Sequence, residues 1–228
     1  MTPQEKPHYL GHRKRLKDKF LTNSTNFADY ELLELLLFSS HARKDVKPLA
    51  KKLLTELGSI SAVLNADIQM LKNLPDVNEN VLLSLKLARE IIVRSSKEKI
   101  SNKPIISKSE EMHEYCKLGM GNLKEEQFRI LFLDKKHHLI ADELLKQGSV
   151  EAVEIDVKNI LKKALNFFAK SVILMHNHPN LDSKPSKADI VNTDRILKTL
   201  KTIDVKVDDH LIIGKNGDLF SFKSHGFI

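Results

Sequence analysis

Met175-His176-Asn177-His178-Pro179, followed by Pro185-Ser186-Lys187-Ala188-Asp189, decides the reading of the C-terminal half of this chain. The run leading into it, Ser171-Val172-Ile173-Leu174-Met175, is short and apolar, which predicts a buried strand. Residues i and i+2 of an extended segment face the same side, so His176 and His178 aim at one point. Pro179 fixes the backbone behind them and disfavours a helix there. Two imidazoles at the end of a buried strand are costly unless something occupies them. Asp189, eleven residues past His178, returns from the first turn of the helix that Ser186 opens.

A His176, His178 and Asp189 set leaves the fourth tetrahedral position for water, as a catalytic zinc site requires. Zinc would lower the pKa of that water and polarise a carbonyl. Carrying the proton to a leaving amine needs a further carboxylate. Glu125, Glu126, Glu143 and Glu151 are the candidates, and the residues alone do not choose among them. The Ser186 hydroxyl can donate to a developing oxyanion.

Plainer readings exist for each motif. Ser186-x-x-Asp189 is also an ordinary helix capping box, and His-x-His by itself occurs by chance. The letters His-Asn-His suggest an HNH nuclease, but there the residues are scattered rather than contiguous. His137-His138 sits in a polar turn and reads as solvated. Cys116 lies in a helix with no histidine beside it, so a buried thiol is expected rather than a nucleophile. Asp209-His210 either supports a ligand from behind or orients a strand end.

The 228 residues are 41% hydrophobic, enough for a true core in two modest domains or one large one. No apolar run is long enough to span a membrane, and the first residues lack the apolar core of a signal peptide. A single cysteine excludes an intrachain disulfide and fits a reducing cytosol. A cytoplasmic chain is expected. The net charge of +7 is uneven, with +5 on residues 1–100 and +2 on residues 101–228. A basic first half is either a nucleic-acid footprint or a solvated lysine-rich surface.

Residues 1–100 read as an all-α module. Helices are expected from Gly11 to Phe20, from Asp29 as N-cap through Phe38, and from Val46 to Leu57 with Gly58 closing the last. Shorter ones follow over Ile60–Leu64 and Ile68–Leu74, then a long one from Glu79 to Arg94. Leu71 to Glu79 resembles a helix-hairpin-helix turn, which offers backbone N–H groups to a phosphate. Asp76 and Asn78 stand where such turns carry glycine, and a carboxylate repels a phosphate. A structural turn is therefore favoured over a DNA clamp. Lys97–Pro104 marks the boundary.

Residues 101–228 read as α/β. A helix from Ser107 or Ser109 to about Leu118 precedes strands over Phe128–Leu133 and His138–Leu145, with an extended piece at Ala152–Ile155. A helix from Val157 to Ala169 feeds the histidine strand, and a helix from Ser186 to Leu200 follows it. Val205–Val207, Leu211–Ile213 and Leu219–Phe222 supply further strands, with Lys215-Asn216-Gly217-Asp218 as a hairpin turn. Hairpins among alternating strands and helices predict a mixed sheet flanked by helices.

On these residues the chain resembles the RadC family, bacterial members of the JAB/MPN (JAMM) metalloprotease-like superfamily. The JAMM pattern is a distant Glu, then His-x-His-Pro, then Ser-x-x-Asp. Here His176-Asn177-His178-Pro179 precedes Ser186-Lys187-Ala188-Asp189, with Asp209-His210-Leu211-Ile212-Ile213-Gly214 downstream. Gly11-His12-Arg13-Lys14-Arg15-Leu16, Tyr30-Glu31-Leu32-Leu33-Glu34-Leu35-Leu36 and Asp45-Val46-Lys47-Pro48-Leu49-Ala50 extend the likeness through the first half. The resemblance implies a helical RadC-type module over residues 1–100 and an MPN/JAB domain over 101–228. It implies zinc on His176, His178 and Asp189, with Ser186 at the oxyanion. Its Glu-x-Phe context selects Glu126 as the general acid/base. A peptide or isopeptide-like amide substrate in a DNA-repair setting is implied, with weak DNA association through the basic half as a further expectation. The chain departs from the family pattern at Asn180-Leu181, where Ser-Gly is usual, at Val157-Lys158, where Pro-Arg is usual, and at the hairpin glycines.

Overall fold

The computed structural model describes residues 11–41, 44–101, 103–106, 109–148, 155–215 and 217–228. The chain divides into two compact units, Met1–Ile91 and Ile92–Ile228.

The first unit is helical: α1 (His12–Thr22), α2 (Asp29–Leu37), α3 (Lys47–Leu57), α4 (Ile60–Asn65), α5 (Ile68–Lys72) and the start of α6 (Glu79–Ser101). Leu33, Leu37, Leu49, Leu53, Val63, Leu71, Val81 and Leu85 are buried in one core, each from the apolar stripe of its helix. Asp29 is not the N-cap expected of it. It is the first helical residue of α2, and the exposed N–H of Ala28 is satisfied by Glu31 Oε2 at 3.0 Å. Gly58 closes α3 at φ 93°, and its N–H donates to Leu54. Ser59 and Asp67 cap α4 and α5.

In the turn before α6, Asp76 holds the left-handed φ of 68° that favours glycine, and its carboxylate pairs with Lys44. Asn78 Oδ1 accepts from Val81 N at 2.9 Å. Its amide also donates to the Ser40 carbonyl. α6 runs to Ser101, beyond the expected end at Arg94. The polar stretch 94–101 holds no glycine or proline to stop it, and Ile100 gives its last turn a buried anchor.

The second unit is a five-stranded sheet of order β2-β1-β3-β4-β5, made of β1 (Gln127–Leu133), β2 (Leu139–Gln147), β3 (Ser171–Asn177), β4 (Lys206–Ile213) and β5 (Leu219–Ser221). Among the described residues only the β3/β4 pair is parallel, so the sheet is mixed. Alternation along the strands splits the core into two layers. Phe128, Ile130, Phe132, Val172 and Leu174 face α8 (Val157–Asn166) and α9 (Lys187–Lys201). Leu131, Leu133, Ile173, Met175 and Leu211 face α7 (Glu110–Met120). Ser109 is the α7 cap; the alternative, Ser107, lies outside the described residues, as do Glu151 and most of the extended piece at Ala152–Ile155.

Two expected strands, Val205–Val207 and Leu211–Ile213, are one continuous β4. The intervening Asp208-Asp209-His210 looks too polar for a strand interior, yet the Asp209 carboxylate is fully buried and fully bonded. It accepts from His210 N at 2.7 Å, Lys223 N at 3.0 Å and Ser221 Oγ at 2.6 Å. α8 stops at Asn166 rather than Ala169, because Phe168 turns to a positive φ. No helix among the described residues is long and apolar enough to cross a membrane.

Candidate metal centre

β3 delivers the two histidines. Its residues are buried throughout, and His176 sits between Phe128 of β1 and Ile212 of β4 in the sheet register. Beyond the strand end, His178 N donates to Ile213 O at 2.8 Å, which keeps the second imidazole on the same side as the first. α9 delivers the carboxylate. Ser186 caps the helix by accepting from Asp189 N at 3.1 Å, and Asp189 Oδ2 accepts from Ser186 N at 2.7 Å. The reciprocal pair is a capping box, and it fixes Asp189 where it meets the histidines. All three side chains are buried.

His176 Nε2 lies 2.9 Å from His178 Nε2. Asp189 Oδ1 is 3.2 Å from His176 Nε2, and Oδ2 is 3.4 Å from His178 Nε2. Ligands at metal–donor distances of about 2.0–2.1 Å in a tetrahedron stand about 3.3 Å apart. The three donors are thus spaced close to what one small divalent ion requires. His178 Nδ1 donates to the carbonyl of Asp182 at 2.9 Å, so its neutral ring turns a bare Nε2 inward. Facing lone pairs repel, and only a proton or a cation relieves them. The donor set and its spacing therefore fit a metal such as zinc.

Electrostatics agree. Hydrogen bonding to Asp189, against the opposing cost of burial, raises the His178 pKa, and the carbonyl of Asp182 and the Glu126 charge add to the rise. Burial pushes the Asp189 carboxyl up, but the imidazoles of His176 and His178 and the Ser186 side chain beside it outweigh that and hold its pKa well below the carboxylate range. A carboxylate kept ionised beside two imidazoles is a ligand ready for a cation.

These groups open onto a cavity of about 540 Å³ that is also lined by Glu126, Ser186, Leu181, Lys184 and Lys215. Of the three candidate glutamates among the described residues, Glu126 is the one that lines this cavity. Glu125 accepts from Gln147 at 2.9 Å, and Glu143 pairs with Lys163 of α8 at 2.6 Å. Ser186 Oγ accepts from Asp189 N in the cap, and its hydroxyl lies beside the Asp189 carboxylate at the cavity wall.

One support escapes the sequence reading. Asn177 points to the other side of the sheet from its histidine neighbours, as alternation demands. There it accepts from Gln127 N at 2.8 Å and donates to Glu125 O at 3.1 Å, bracketing Glu126 on both sides. The middle residue of His-x-His on a strand is the signal that could have found it. Behind His176 stands His210, with Nε2 2.8 Å from His176 Nδ1 and Nδ1 2.7 Å from Thr193 Oγ1. The contacts fit both alternatives for Asp209-His210: the aspartate braces the strand and the histidine stands behind His176. Cys116 is fully buried, 3.5 Å from Met175 Sδ, and burial pushes its thiol pKa far up. His137 is half exposed and bonds Asp208 at 2.9 Å.

A mixed sheet between helices, with a His/His/Asp cluster at the end of its central strands and a glutamate across the cavity, defines a JAB/MPN-type domain with a JAMM-like ligand set. Residues 106–227 match the RadC-like JAB domain family, more than half of the chain, and the protein belongs to that family.

Proposed function

We propose that this protein is a zinc-dependent hydrolase of amide bonds, of the peptidase or isopeptidase type. The observation that carries the reading is the convergence of His176 Nε2, His178 Nε2 and Asp189 on one point in a cavity that Glu126 and Ser186 also line. Zinc held there would supply Lewis acidity, lowering the pKa of an attacking water and polarising the scissile carbonyl. Glu126 would hold the proton between an attacking water and the leaving amine, a role that needs a carboxylate facing the cavity. Ser186 donates its hydroxyl hydrogen to the oxyanion while the cap holds its position.

Metal analysis of the purified chain should find one zinc per molecule. Glu126→Gln should keep that zinc and lose about 10²–10⁴-fold in rate. Peptide products compared between wild type and Glu126→Gln, in cells and with added extracts, would identify the bond cut. No zinc, together with no change on His176→Ala, would sink the reading.

A second reading, an accessory protein held on DNA by its helical half, draws on the +5 charge of residues 1–100. The turn before α6 opposes it. Its left-handed position carries the Asp76 carboxylate, and Asn78 is spent on the cap of α6. We read that turn as scaffolding, with a DNA-repair setting and a cytoplasmic location as companions of the hydrolase reading.

A further inference from the structure

The two histidine ligands obtain their orientation by different routes. His178 leans on a backbone carbonyl, which can only accept, so its Nδ1 must carry the hydrogen. His176 leans on His210, whose ring could either donate or accept. Nothing in that contact alone says which nitrogen of His176 is bare.

The answer lies one step further back. Thr193 is four residues past Asp189 in α9, and its hydroxyl donates to the Asp189 carbonyl at 2.6 Å. A hydroxyl has one hydrogen, and that carbonyl takes it. Thr193 Oγ1 is therefore the acceptor in its 2.7 Å contact with His210, and His210 Nδ1 is the donor. The His210 ring is buried, and its nitrogens face a hydroxyl and an imidazole with no carboxylate in hydrogen-bond contact, so nothing beside it compensates a second proton and the ring is neutral. A neutral ring that donates from Nδ1 has a bare Nε2. That nitrogen can only accept from His176 Nδ1–H at 2.8 Å. Neutral His176 is then left with its lone pair on Nε2, the atom facing His178 and Asp189.

We propose that Thr193 and His210 are positioning residues that fix the tautomer of His176 for metal binding. The inference rests on the reading of His176, His178 and Asp189 as metal ligands. Every link has one allowed direction, and the chain starts at the backbone of Asp189 and ends at the ring of His176. Two ligands on separate elements, α9 and β3, are thereby set by one another through β4. Phe222 stacks on His210 with ring centroids 4.6 Å apart, and Phe128 stacks on His176 at 6.1 Å. Both rings are held in plane by packing, so polarity is left to the hydrogen bonds.

The test is zinc affinity of the full chain, by competition with a chromophoric chelator, alongside the absorption of the cobalt-substituted protein. Thr193→Val keeps the shape and removes the acceptor, and should weaken zinc about 10–100-fold, the range typical of lost outer partners. Thr193→Ser should restore affinity to within a few-fold of wild type. His210→Gln offers His176 an amide oxygen in place of Nε2 and should also hold affinity, whereas His210→Leu should lose it as Thr193→Val does. His178→Ala is the reference for the ligand reading. If it binds zinc like wild type, the metal centre itself is misassigned. If it loses zinc while Thr193→Val and His210→Leu keep full affinity and an unchanged cobalt spectrum, the tautomer proposal is overturned. A lower unfolding midpoint of those two variants without metal, at unchanged zinc affinity, would overturn it equally, since that is the mark of packing alone.

Discussion

Two helix N-termini in this molecule use the same local device to opposite ends. At α6, Asn78 caps the helix and Asp76 lies two residues ahead of it. At α9, Ser186 caps the helix and Asp189 lies three residues behind it. Both sites hold a carboxylate close to a capped helix N-terminus. Asp76 is exposed and spends its charge on Lys44 at the surface. Asp189 is buried, and its charge faces two imidazoles. The local sequence rule for a cap is alike in both. What separates a turn from a metal centre is whether the sheet brings further ligands to the carboxylate.

The comparison breaks first if the two aspartates prove equivalent. Asp189→Ala should abolish stoichiometric zinc binding and all zinc-dependent stabilisation, measured as a shift in unfolding midpoint with added metal. Asp76→Ala should leave both untouched. A retained zinc shift in the Asp189 variant would place the metal elsewhere.

A smaller effect, of diagnostic sign, comes from pH. Without metal, the raised His178 pKa means that the folded protein keeps a proton that the unfolded chain releases near pH 6.5. That stabilisation is complete below about pH 6.5 and is lost as pH rises through the folded value. Metal binding replaces the proton, so the loaded protein should gain stability over the same rise. Unfolding midpoints taken from pH 6.5 to 8 should slope in opposite directions with and without zinc, and parallel slopes would contradict the site. Asp76, lowered mainly by its hydrogen bond from Lys44, titrates in acid and is silent in this window.

The smallest expected effect concerns nucleic acid. Asp76→Gly restores the residue that the left-handed backbone favours and removes a charge that repels phosphate. Gel-shift titrations across salt should show at most a weak, salt-sensitive gain over a weak wild type. Tight binding by the wild-type chain would show that the turn is a working clamp after all.

The His176, His178 and Asp189 cluster is legible because strand alternation and a capping box are local patterns, and each places a side chain without knowledge of the rest of the fold. Glu126 was not legible from the residues, since Glu125 beside it carries the same chemistry. Only the pairing of β1 with β3, and the bracket formed by Asn177, decides which of the two meets the cavity. β4 was broken in the reading because Asp209 is polar, while its partners Ser221 and Lys223 come from a later strand and its exit. Thr193 carries no sequence signal at all. A threonine in mid-helix reads as surface or as filler until a histidine from another element stands against it. The end of α6 was misplaced for a similar reason, since one buried residue, Ile100, gives the polar stretch its anchor.

The rim of the cavity is built differently from its floor. The segment from Asn180 to Pro185 is tied down through Lys215 N to Leu181 O at 2.9 Å, Ser183 N to Asp218 Oδ2 at 2.9 Å, and His178 Nδ1 to Asp182 O. On the segment itself every one of these ties falls on the main chain. Gly214 keeps the clasp closed, since a Cβ there would come within 2.5 Å of Asp218 Oδ1 and 2.6 Å of Ser183 N. Side chains at Asn180 and Leu181 are therefore interchangeable parts on a fixed mount. Substitutions at these two positions would reshape the rim of the cavity while leaving the main-chain ties in place.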